Sequence, residues 1–208
     1  MEFYFPIKEG IQYEKLQLAS NSKYSITKPK DANQIQNIIN KIIPKNNLVI
    51  LDGTANVGGD TIHFGLNPNV KKVISIEKNK DTFLKLINNI NVYQIGNKVK
   101  AYNYDIVDVI RKCADNIHFD ILFLDAPWGG IHYKKHRLLD LPISGRKLAY
   151  IVKDLNKCEN IDYIFLKVPY NYNLYDLIEK SNYEYIQVYK IETGTKFYMI
   201  LVLKNKHN

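Results

Sequence analysis

Short, continuous apolar runs recur along the chain and predict buried β-strands. Runs of this kind, without alternation of polar residues, are typical of parallel strands that are covered on both faces. The last two runs are joined by a Glu192-Thr193-Gly194 turn, which predicts a C-terminal hairpin. The pattern as a whole predicts seven strands, at residues 48–51, 73–76, 99–102, 119–124, 163–168, 185–189 and 197–203.

Between these runs, apolar residues recur at the three- and four-residue spacing of a helix face. Isoleucines show this spacing after Pro29, a residue type that is favoured early in a helix, and Pro44 ends the segment. Residues 1–30 have no clear period and are predicted to form an N-terminal arm that packs on the domain or its substrate. The other helices are predicted at residues 60–66, 81–92, 106–113, 144–156 and 173–180.

The alternation of strands and helices predicts an α/β fold with a mostly parallel sheet and helices on both faces. A C-terminal antiparallel hairpin separates this pattern from ordinary dinucleotide-binding domains and favours the seven-stranded, Rossmann-like fold of class I methyltransferases. We predict an N-terminal arm and helix at residues 1–44, packed on one methyltransferase domain at residues 45–208. A length of 208 residues suits one such domain.

The charge balance favours a polyanionic partner. The chain carries 29 Lys and Arg against 21 Asp and Glu, a formal net charge of +8. Nucleic acid, an anionic membrane face and phosphorylated small molecules all fit that excess. The sequence has neither the apolar core of a signal peptide nor a membrane-spanning run of about 18 residues. We therefore expect no membrane association and a cytoplasmic or nuclear location, or the host cytoplasm if the source is viral.

Acidic residues follow four of the predicted strands: Asp52, Glu77, Asp105 and Asp125. Ligands of open α/β sheets bind outside the carboxyl ends of the strands. Glu77 is placed to accept hydrogen bonds from both ribose hydroxyls of an adenosine, and Asp105 to accept one from the adenine amino group. Taken singly, each acid is more often a helix N-cap, so the argument for a cofactor site depends on the acids being taken together.

The loop at residues 52–61 is rich in glycine and begins with an acid. It has no Gly-Lys-Ser/Thr, so it is not a phosphate-binding P-loop, and Asp52 would repel a pyrophosphate. An acid suits the sulfonium and ammonium groups of S-adenosylmethionine instead. We predict that Asp52, Gly53, Thr54 and Gly58 bind this cofactor, with Asp125 also in contact.

Asp125-Ala126-Pro127-Trp128 is similar to the D/N/S-P-P-aromatic motif of methyltransferases that act on amino groups of planar rings. An exocyclic amine is a poor nucleophile, and acceptors that hold its N–H groups support the charge that develops on nitrogen. We predict that Asp125 accepts from the amine, Pro127 stiffens the turn and Trp128 stacks on the base. Gly129 would let the flat ring lie against the backbone.

These motifs resemble those of trimethylguanosine synthase, the RNA cap guanine-N2 methyltransferase family. The family's first motif, roughly D-x-F-C-G-V-G-G-N-T, is similar to residues 52–61, in which Val57-Gly58-Gly59 is intact. Its S-P-P-W-G-G-P motif is similar to residues 125–131, and its aromatic-S-V-T element to Tyr24-Ser25-Ile26-Thr27. The resemblance covers about residues 22–205.

The resemblance implies S-adenosylmethionine-dependent methylation of the exocyclic amine of a 7-methylguanosine cap, giving a 2,7-dimethyl or 2,2,7-trimethyl product. It implies that Trp128 stacks on the positively charged 7-methylguanine and gains cation–π attraction. It also implies that Asp52, Glu77 and Asp105 hold the cofactor and that Thr27 contacts it. The cap phosphates would meet lysines of the arm: Lys8, Lys15, Lys23 and Lys28.

The chain departs from the family pattern at positions that bear on the substrate. Asp125 replaces a serine, and an acid is common there in adenine-N6 enzymes. Tyr170 replaces a basic residue that meets phosphate in the family. We predict that Tyr170 and Tyr133 contact the substrate, and the same candidate role falls to His132, Lys134 and His136.

Two other functions stay open on the sequence. One is an rRNA or tRNA methyltransferase that acts on guanine N2 or adenine N6. The other, of a different class, is a catalytically silent methyltransferase-like module that binds RNA or a partner protein. The cysteines and histidines show no metal-ligand spacing, so we predict no metal site. The oligomeric state is not indicated.

Overall fold

The computed structural model describes residues 1–20, 22–112, 117–183, 185–193 and 196–205. The chain divides into two compact units, the N-terminal unit Met1–Tyr104 and the C-terminal unit Asp105–Asn208. The helices of the described residues are α1 (Ser22–Ser25), α2 (Pro29–Ile42), α3 (Gly59–Leu66), α4 (Lys80–Val92), α5 (Ile106–Arg111), α6 (Leu148–Leu155) and α7 (Leu174–Ser181). The strands are β1 (Leu48–Asp52), β2 (Val70–Ile76), β3 (Val99–Tyr102), β4 (Phe119–Leu124), β5 (Pro142–Ile143), β6 (Arg146–Lys147), β7 (Ile161–Pro169), β8 (Ile186–Thr193) and β9 (Lys196–Lys204).

Seven of the strands form one sheet, in the order β3-β2-β1-β4-β7-β9-β8. In the N-terminal unit, β1 and β3 both pair with β2 in parallel. In the C-terminal unit, β4 pairs with β7 in parallel, and β9 runs antiparallel to both β7 and β8. The predicted fold, a seven-stranded and mostly parallel sheet with a C-terminal antiparallel hairpin, is confirmed.

The N-terminal arm packs within the N-terminal unit. The side chain of Phe5 is fully buried. The Tyr93 hydroxyl donates a hydrogen bond to the Pro6 carbonyl oxygen, with a distance of 2.5 Å between the two oxygens. Further along, the Asn89 side chain of α4 accepts from the Gln17 amide at 2.8 Å and donates to its carbonyl at 2.9 Å. The arm therefore covers α4, and its predicted packing on the methyltransferase domain or its substrate stays a prediction. The boundary predicted between residues 44 and 45 stays a prediction.

In the C-terminal unit, every residue of β4 is buried, as the unbroken apolar run at residues 119–124 indicates. Asn205, which follows β9, is also buried and binds to the chain at the start of β7. Its side chain donates to the carbonyls of Cys158 at 2.7 Å and Ile161 at 2.9 Å. Bonded in this way, a buried amide is satisfied rather than costly.

The predicted helix at residues 144–156 begins too early. Residues 142–147 form the small antiparallel pair of β5 and β6, and α6 starts only at Leu148. The turn explains the difference: Ser144 has φ 52° and Gly145 has φ 78°, and left-handed residues cannot continue an α-helix. Of the turn predicted at residues 192–194, Glu192 and Thr193 belong to β8 instead.

Parts of two predictions lie outside the described residues, namely Cys113 in the helix at residues 106–113 and Gly194 in the hairpin turn. Among the described helices, none combines the length and the apolar character needed to cross a membrane.

Candidate functional site

Asp52 lies at the end of β1, with 1% of its surface exposed. Its carboxylate accepts from the Thr61 hydroxyl at 2.5 Å and from the Thr54 amide at 3.3 Å. The Thr61 oxygen also lies 2.9 Å from the Ser75 hydroxyl oxygen. A buried carboxylate needs such donors, and here they tie the loop after β1 to α3 and β2. The predicted contact of Asp52 and Thr54 with a cofactor stays a prediction.

Two glycines of this loop are required by the packing of the protein itself. Gly58 has φ 100°, and a Cβ added there would lie 2.9 Å from the Leu86 side chain. A Cβ on Gly59 would lie 2.7 Å from the Ile26 side chain and 3.1 Å from the Thr27 carbonyl oxygen. The Val-Gly-Gly sequence therefore lets α3 start against the arm and α4. The neighbouring Gly53 is buried.

Thr27 joins the arm to the first turn of α3. It is 4% exposed, and its hydroxyl donates to the Asp60 carboxylate at 2.6 Å. This contact gives the residue a structural role beside the Gly-Gly turn. The cofactor contact that the resemblance implies for Thr27 stays a prediction.

Glu77 follows β2, and its two carboxylate oxygens are oriented by backbone donors. One oxygen accepts from the Asn56 amide at 2.9 Å and the other from the Asn79 amide at 2.7 Å. Partial burial raises the pKa of Glu77 above its ordinary value, although these two hydrogen bonds act in the opposite direction. Each oxygen has a second acceptor position. A fixed, half-buried carboxylate of this kind can accept from both hydroxyls of a ribose.

Asn56 has a positioning role that the sequence did not predict. It adopts φ 51°, and its side chain links to the hydroxyls of Ser22 at 2.7 Å and Ser25 at 3.0 Å. A polar cavity of about 220 Å³ opens beside it, and its lining includes Asn79 and Thr82. Since ligand pockets commonly measure about 300–1,000 Å³, this cavity suits part of a nucleoside rather than a whole cofactor.

Asp105 is the N-cap of α5. Its carboxylate accepts from the Val107 amide at 3.0 Å, which satisfies one of the free N–H groups at the start of the helix. This is the structural alternative considered for a single acid after a strand. The predicted contact with adenine stays a prediction.

In the C-terminal unit, Asp125 forms an ion pair with Lys167. The lysine nitrogen lies 2.6 Å from a carboxylate oxygen, and the side chains are only 6% (Lys167) and 14% (Asp125) exposed. Asp125 follows β4 and Lys167 lies on β7, the strand paired with β4. Opposite charges at this distance favour the ionised form of each other. Asp125 is therefore a hydrogen-bond acceptor whose negative charge is offset by the ammonium of Lys167.

Aromatic rings surround this ion pair. The Trp128 ring centroid lies 5.3 Å from that of Tyr133 and 5.8 Å from that of Tyr198, with both pairs edge to face. The Lys167 nitrogen lies 5.6 Å from the Trp128 centroid and 5.2 Å from the Tyr198 centroid. Trp128 is half-buried, and its indole N–H meets no acceptor among the described residues. The exposed part of the ring is free for a ligand to stack on, whereas the indole N–H is buried within the protein.

The turn after Trp128 is exposed and left-handed. Pro127 and Gly129 are exposed, and Gly129 and Gly130 have φ 83° and 68°. Because only glycine adopts such angles without strain, the pair lets the chain turn directly from Trp128 into the 3-10 helix Gly130–Lys135.

Tyr170 lies just beyond β7 and is 43% exposed. Its ring centroid is 5.6 Å from that of Phe197, and the Lys190 nitrogen lies 5.0 Å from the Phe197 centroid. The position is compatible with a stacking contact, and the predicted substrate role of Tyr170 stays a prediction.

One group of possible metal ligands occurs among the described residues. Ligand atoms of His118, Asp120 and Asp162 lie within 4.8 Å of one another, and the imidazole of His118 is 2.9 Å from the Asp162 carboxylate. These residues lie at the starts of β4 and β7, at the strand ends opposite Asp125. They take no part in the site described above, and the prediction of no metal site stays a prediction.

Comparison with known proteins identifies the family. Residues 47–206 match the family described as RNA cap guanine-N2 methyltransferase. The chain belongs to this family. A relative from Acanthamoeba polyphaga mimivirus, an uncharacterized protein called L320, is 32% identical over 157 residues, which is 76% of this chain. The match spans only 58% of the length of that viral relative.

Solved structures agree on the fold. The delta-N METTL16 methyltransferase domain superposes with a TM-score of 0.68 at 10% identity, over 91% of this chain and 88% of that one. A human methyltransferase 10 domain containing protein gives 0.64 at 9% identity, over 91% and 89%. The predicted family, the class I fold and S-adenosylmethionine as the cofactor are confirmed. The geometry of Glu77 fits the ribose of that cofactor.

Lys167 and Tyr198 are candidate site residues that sequence reasoning missed. A signal for the lysine was present, because Lys167 is the one charged residue in the apolar run predicted as a buried strand at residues 163–168. A lysine in such a strand needs a partner, and a carboxylate at the end of a neighbouring strand is the natural one. Tyr198 had no comparable signal among the many tyrosines of the chain.

Proposed function

We propose that the protein transfers a methyl group from S-adenosylmethionine to the exocyclic N2 amine of a 7-methylguanosine RNA cap. The observation that carries the proposal is the half-buried indole of Trp128 near the Asp125–Lys167 ion pair, in a chain of the cap guanine-N2 methyltransferase family. We propose that it acts in the cytoplasm or nucleus, or in the host cytoplasm if the source is viral.

In the C-terminal unit, Trp128 supplies the platform for the purine. A 7-methylguanine carries positive charge, so stacking on an indole gains about 0.5–2 kcal/mol over a neutral ring. Tyr133 and Tyr198 hold the indole edge to face and limit its rotation.

Asp125 holds the amine. Its carboxylate would accept an N–H of the exocyclic group and hold the amine in one orientation, and alignment of this kind can supply much of the rate of a transfer reaction. Bound S-adenosylmethionine would supply the methyl group, with the thioether of the cofactor as the leaving group, and the amine would have to give up one proton. Because Lys167 stabilises the ionised carboxylate, water is the better acceptor for that proton.

In the N-terminal unit, Glu77 accepts from the ribose hydroxyls of the cofactor, with Asn56 and Asn79 fixing its carboxylate. S-adenosylmethionine supplies the electrophilic methyl group when it is bound. Asp52 and Gly58 contribute by fixing the loop after β1.

A second candidate is methylation of an amino group in rRNA or tRNA, at guanine N2 or adenine N6. The acid at Asp125 in place of the family's serine favours it, as does Tyr170 in place of a basic residue. The third possibility, a silent binding module, predicts cofactor-independent binding and no turnover.

Product identification separates these functions. The purified protein is incubated with labelled S-adenosylmethionine and with 7-methyl-GTP, GTP, tRNA or rRNA fragments, and the methylated nucleoside is identified by mass spectrometry. We expect N2-methylated 7-methylguanosine, and no product from Asp125→Ala. A methylated adenosine or an internal guanosine would replace the cap assignment, and no product from any substrate would favour the silent module.

A further inference from the structure

A basic segment follows the substrate motif directly. His132, Lys134, Lys135, His136 and Arg137 fall within six residues, and all of them are exposed. No acidic residue occurs between Asp125 and Asp140 to offset them. We name residues 132–137 the basic segment.

The backbone of the basic segment is held in place by Asn171. This asparagine is 7% exposed, and its side-chain amide donates to the carbonyl of Tyr133 at 2.9 Å and to that of His136 at 2.8 Å. Its backbone carbonyl accepts from the Leu139 amide at 2.8 Å. A segment fixed at several points loses less conformational entropy when it binds a ligand than a free chain does.

Trp128 lies just before this segment. Tyr133, inside the segment, contacts the Trp128 ring edge to face, and only the two glycines of the turn and residue 131 separate the indole from His132 along the chain. A purine stacked on Trp128 therefore lies beside several cations that belong to the same stretch of backbone.

Two of the four arm lysines that the resemblance implies for the cap phosphates have partners of their own. Lys8 donates to the Tyr93 carbonyl at 3.1 Å, and the Lys28 nitrogen lies 4.0 Å from the Phe3 ring centroid. The basic segment is the better source of phosphate contacts, since it adjoins the base platform along the chain, whereas the arm belongs to the N-terminal unit.

We propose that the basic segment binds the phosphates of the RNA 5′ end, that is, the polyphosphate of the cap and the first nucleotides after it. The proposal rests on the proposed function, because it takes the base on Trp128 as the start of that chain. Lys135 and Arg137 are direct phosphate ligands, and Asn171 is a positioning residue. RNA is the partner because exposed lysine and arginine on a fixed backbone match a row of phosphates.

The test measures the salt dependence of RNA binding. A capped decaribonucleotide labelled at its 3′ end is titrated with the full-length protein at several salt concentrations, and binding is followed by fluorescence anisotropy. Lys135→Gln/Arg137→Gln is compared with a matched double variant, Lys153→Gln/Lys157→Gln, which removes two exposed lysines of the same unit. Both pairs lie on the surface, and thermal unfolding verifies that each variant is folded.

With about 0.7 counterions released per single-strand phosphate contact, we expect the slope of log affinity against log salt to fall by about 1.4 in the first variant. The matched variant should keep the wild-type slope, and Lys135→Arg/Arg137→Lys should retain most of it. Equal slopes for all the proteins, or equal losses in both glutamine variants, would overturn the proposal.

The binding assay needs no turnover, so the two proposals fail separately. Suppose that the wild-type protein methylates no cap analogue, but that the salt-dependence slope still falls in Lys135→Gln/Arg137→Gln. That result would refute the proposed function and support the phosphate site. A protein that methylates the cap with an unchanged slope in that variant would refute the phosphate site alone.

Discussion

The ammonium of Lys167 lies 2.6 Å from the carboxylate of Asp125, and both side chains are largely buried. Asp125 is expected to accept a hydrogen bond from the substrate amine, and its negative charge is offset by the positive charge of Lys167. Its attraction for a cationic purine is reduced, so under the proposed function selectivity for 7-methylguanine would fall mainly to Trp128. The ion pair also defines the protonation state in which Asp125 meets the amine.

Breaking this pair should be costly, because it leaves a buried carboxylate without its partner. Lys167→Met should lower the free energy of unfolding by about 3–5 kcal/mol, whereas Asp125→Asn/Lys167→Met should recover much of that loss. Denaturant unfolding measures both, with the exposed Lys153→Met as the control. A loss in Lys167→Met no larger than in the control would show that the ion pair is energetically unimportant.

Trp128→Ala should abolish cap methylation and leave S-adenosylmethionine affinity within a few-fold of wild type. The platform for the base is lost, while Glu77 and Asn56 lie in the other unit and are unchanged. Trp128→Phe keeps a smaller platform and should retain part of the activity. Steady-state kinetics and calorimetry separate the two effects. Loss of cofactor binding along with turnover would instead indicate that the indole supports the fold.

The affinity for the cofactor should fall as the pH is lowered. The fall should occur at a higher pH than the pKa of an ordinary glutamate would give. Burial raises the pKa of Glu77 above 4.5, and only the ionised carboxylate accepts from both ribose hydroxyls. Affinity is therefore complete above the raised pKa and is lost as the pH falls through it. Calorimetry across that range should show the transition in wild type and a flat, weaker profile in Glu77→Gln. The same transition in the variant would assign it to another group.

The network at the end of β1 should contribute to stability. Thr61→Val removes the hydroxyl that donates to Asp52 and should cost about 1–3 kcal/mol, because the buried carboxylate loses a donor. Thr82→Val, at a half-exposed threonine of α4, is the matched control. Unfolding midpoints measure both, and equal effects would mean that the Asp52 carboxylate is satisfied without Thr61.

The strands were predictable because a short, unbroken apolar run bounded by polar residues is typical of a buried strand, and the run at residues 119–124 coincides with β4. The hairpin at residues 142–147 was not, since strands of two residues have no period and Ser144 gives no sign of its positive φ. Among site residues, the acids at strand ends were predictable as a class. Their partners, such as Lys167 for Asp125, come from the pairing of distant strands, which periodicity does not specify.

The arm shows the same limit. Residues 1–30 gave no pattern, yet Phe5 is fully buried and Thr27 bonds to Asp60. These contacts depend on the shape of the surface that α3 and α4 present, and a single sequence carries little information about that surface.

The most direct test of the central claim is the ratio of kcat/KM for 7-methyl-GTP to that for GTP, measured with the wild-type protein. Stacking of the charged purine on Trp128 is expected to add about 1–2 kcal/mol, which corresponds to a preference of about 5- to 30-fold. We predict a ratio of about 5- to 30-fold in favour of 7-methyl-GTP, with the new methyl group on N2. A ratio near one would contradict a cap methyltransferase that recognises its base through the indole.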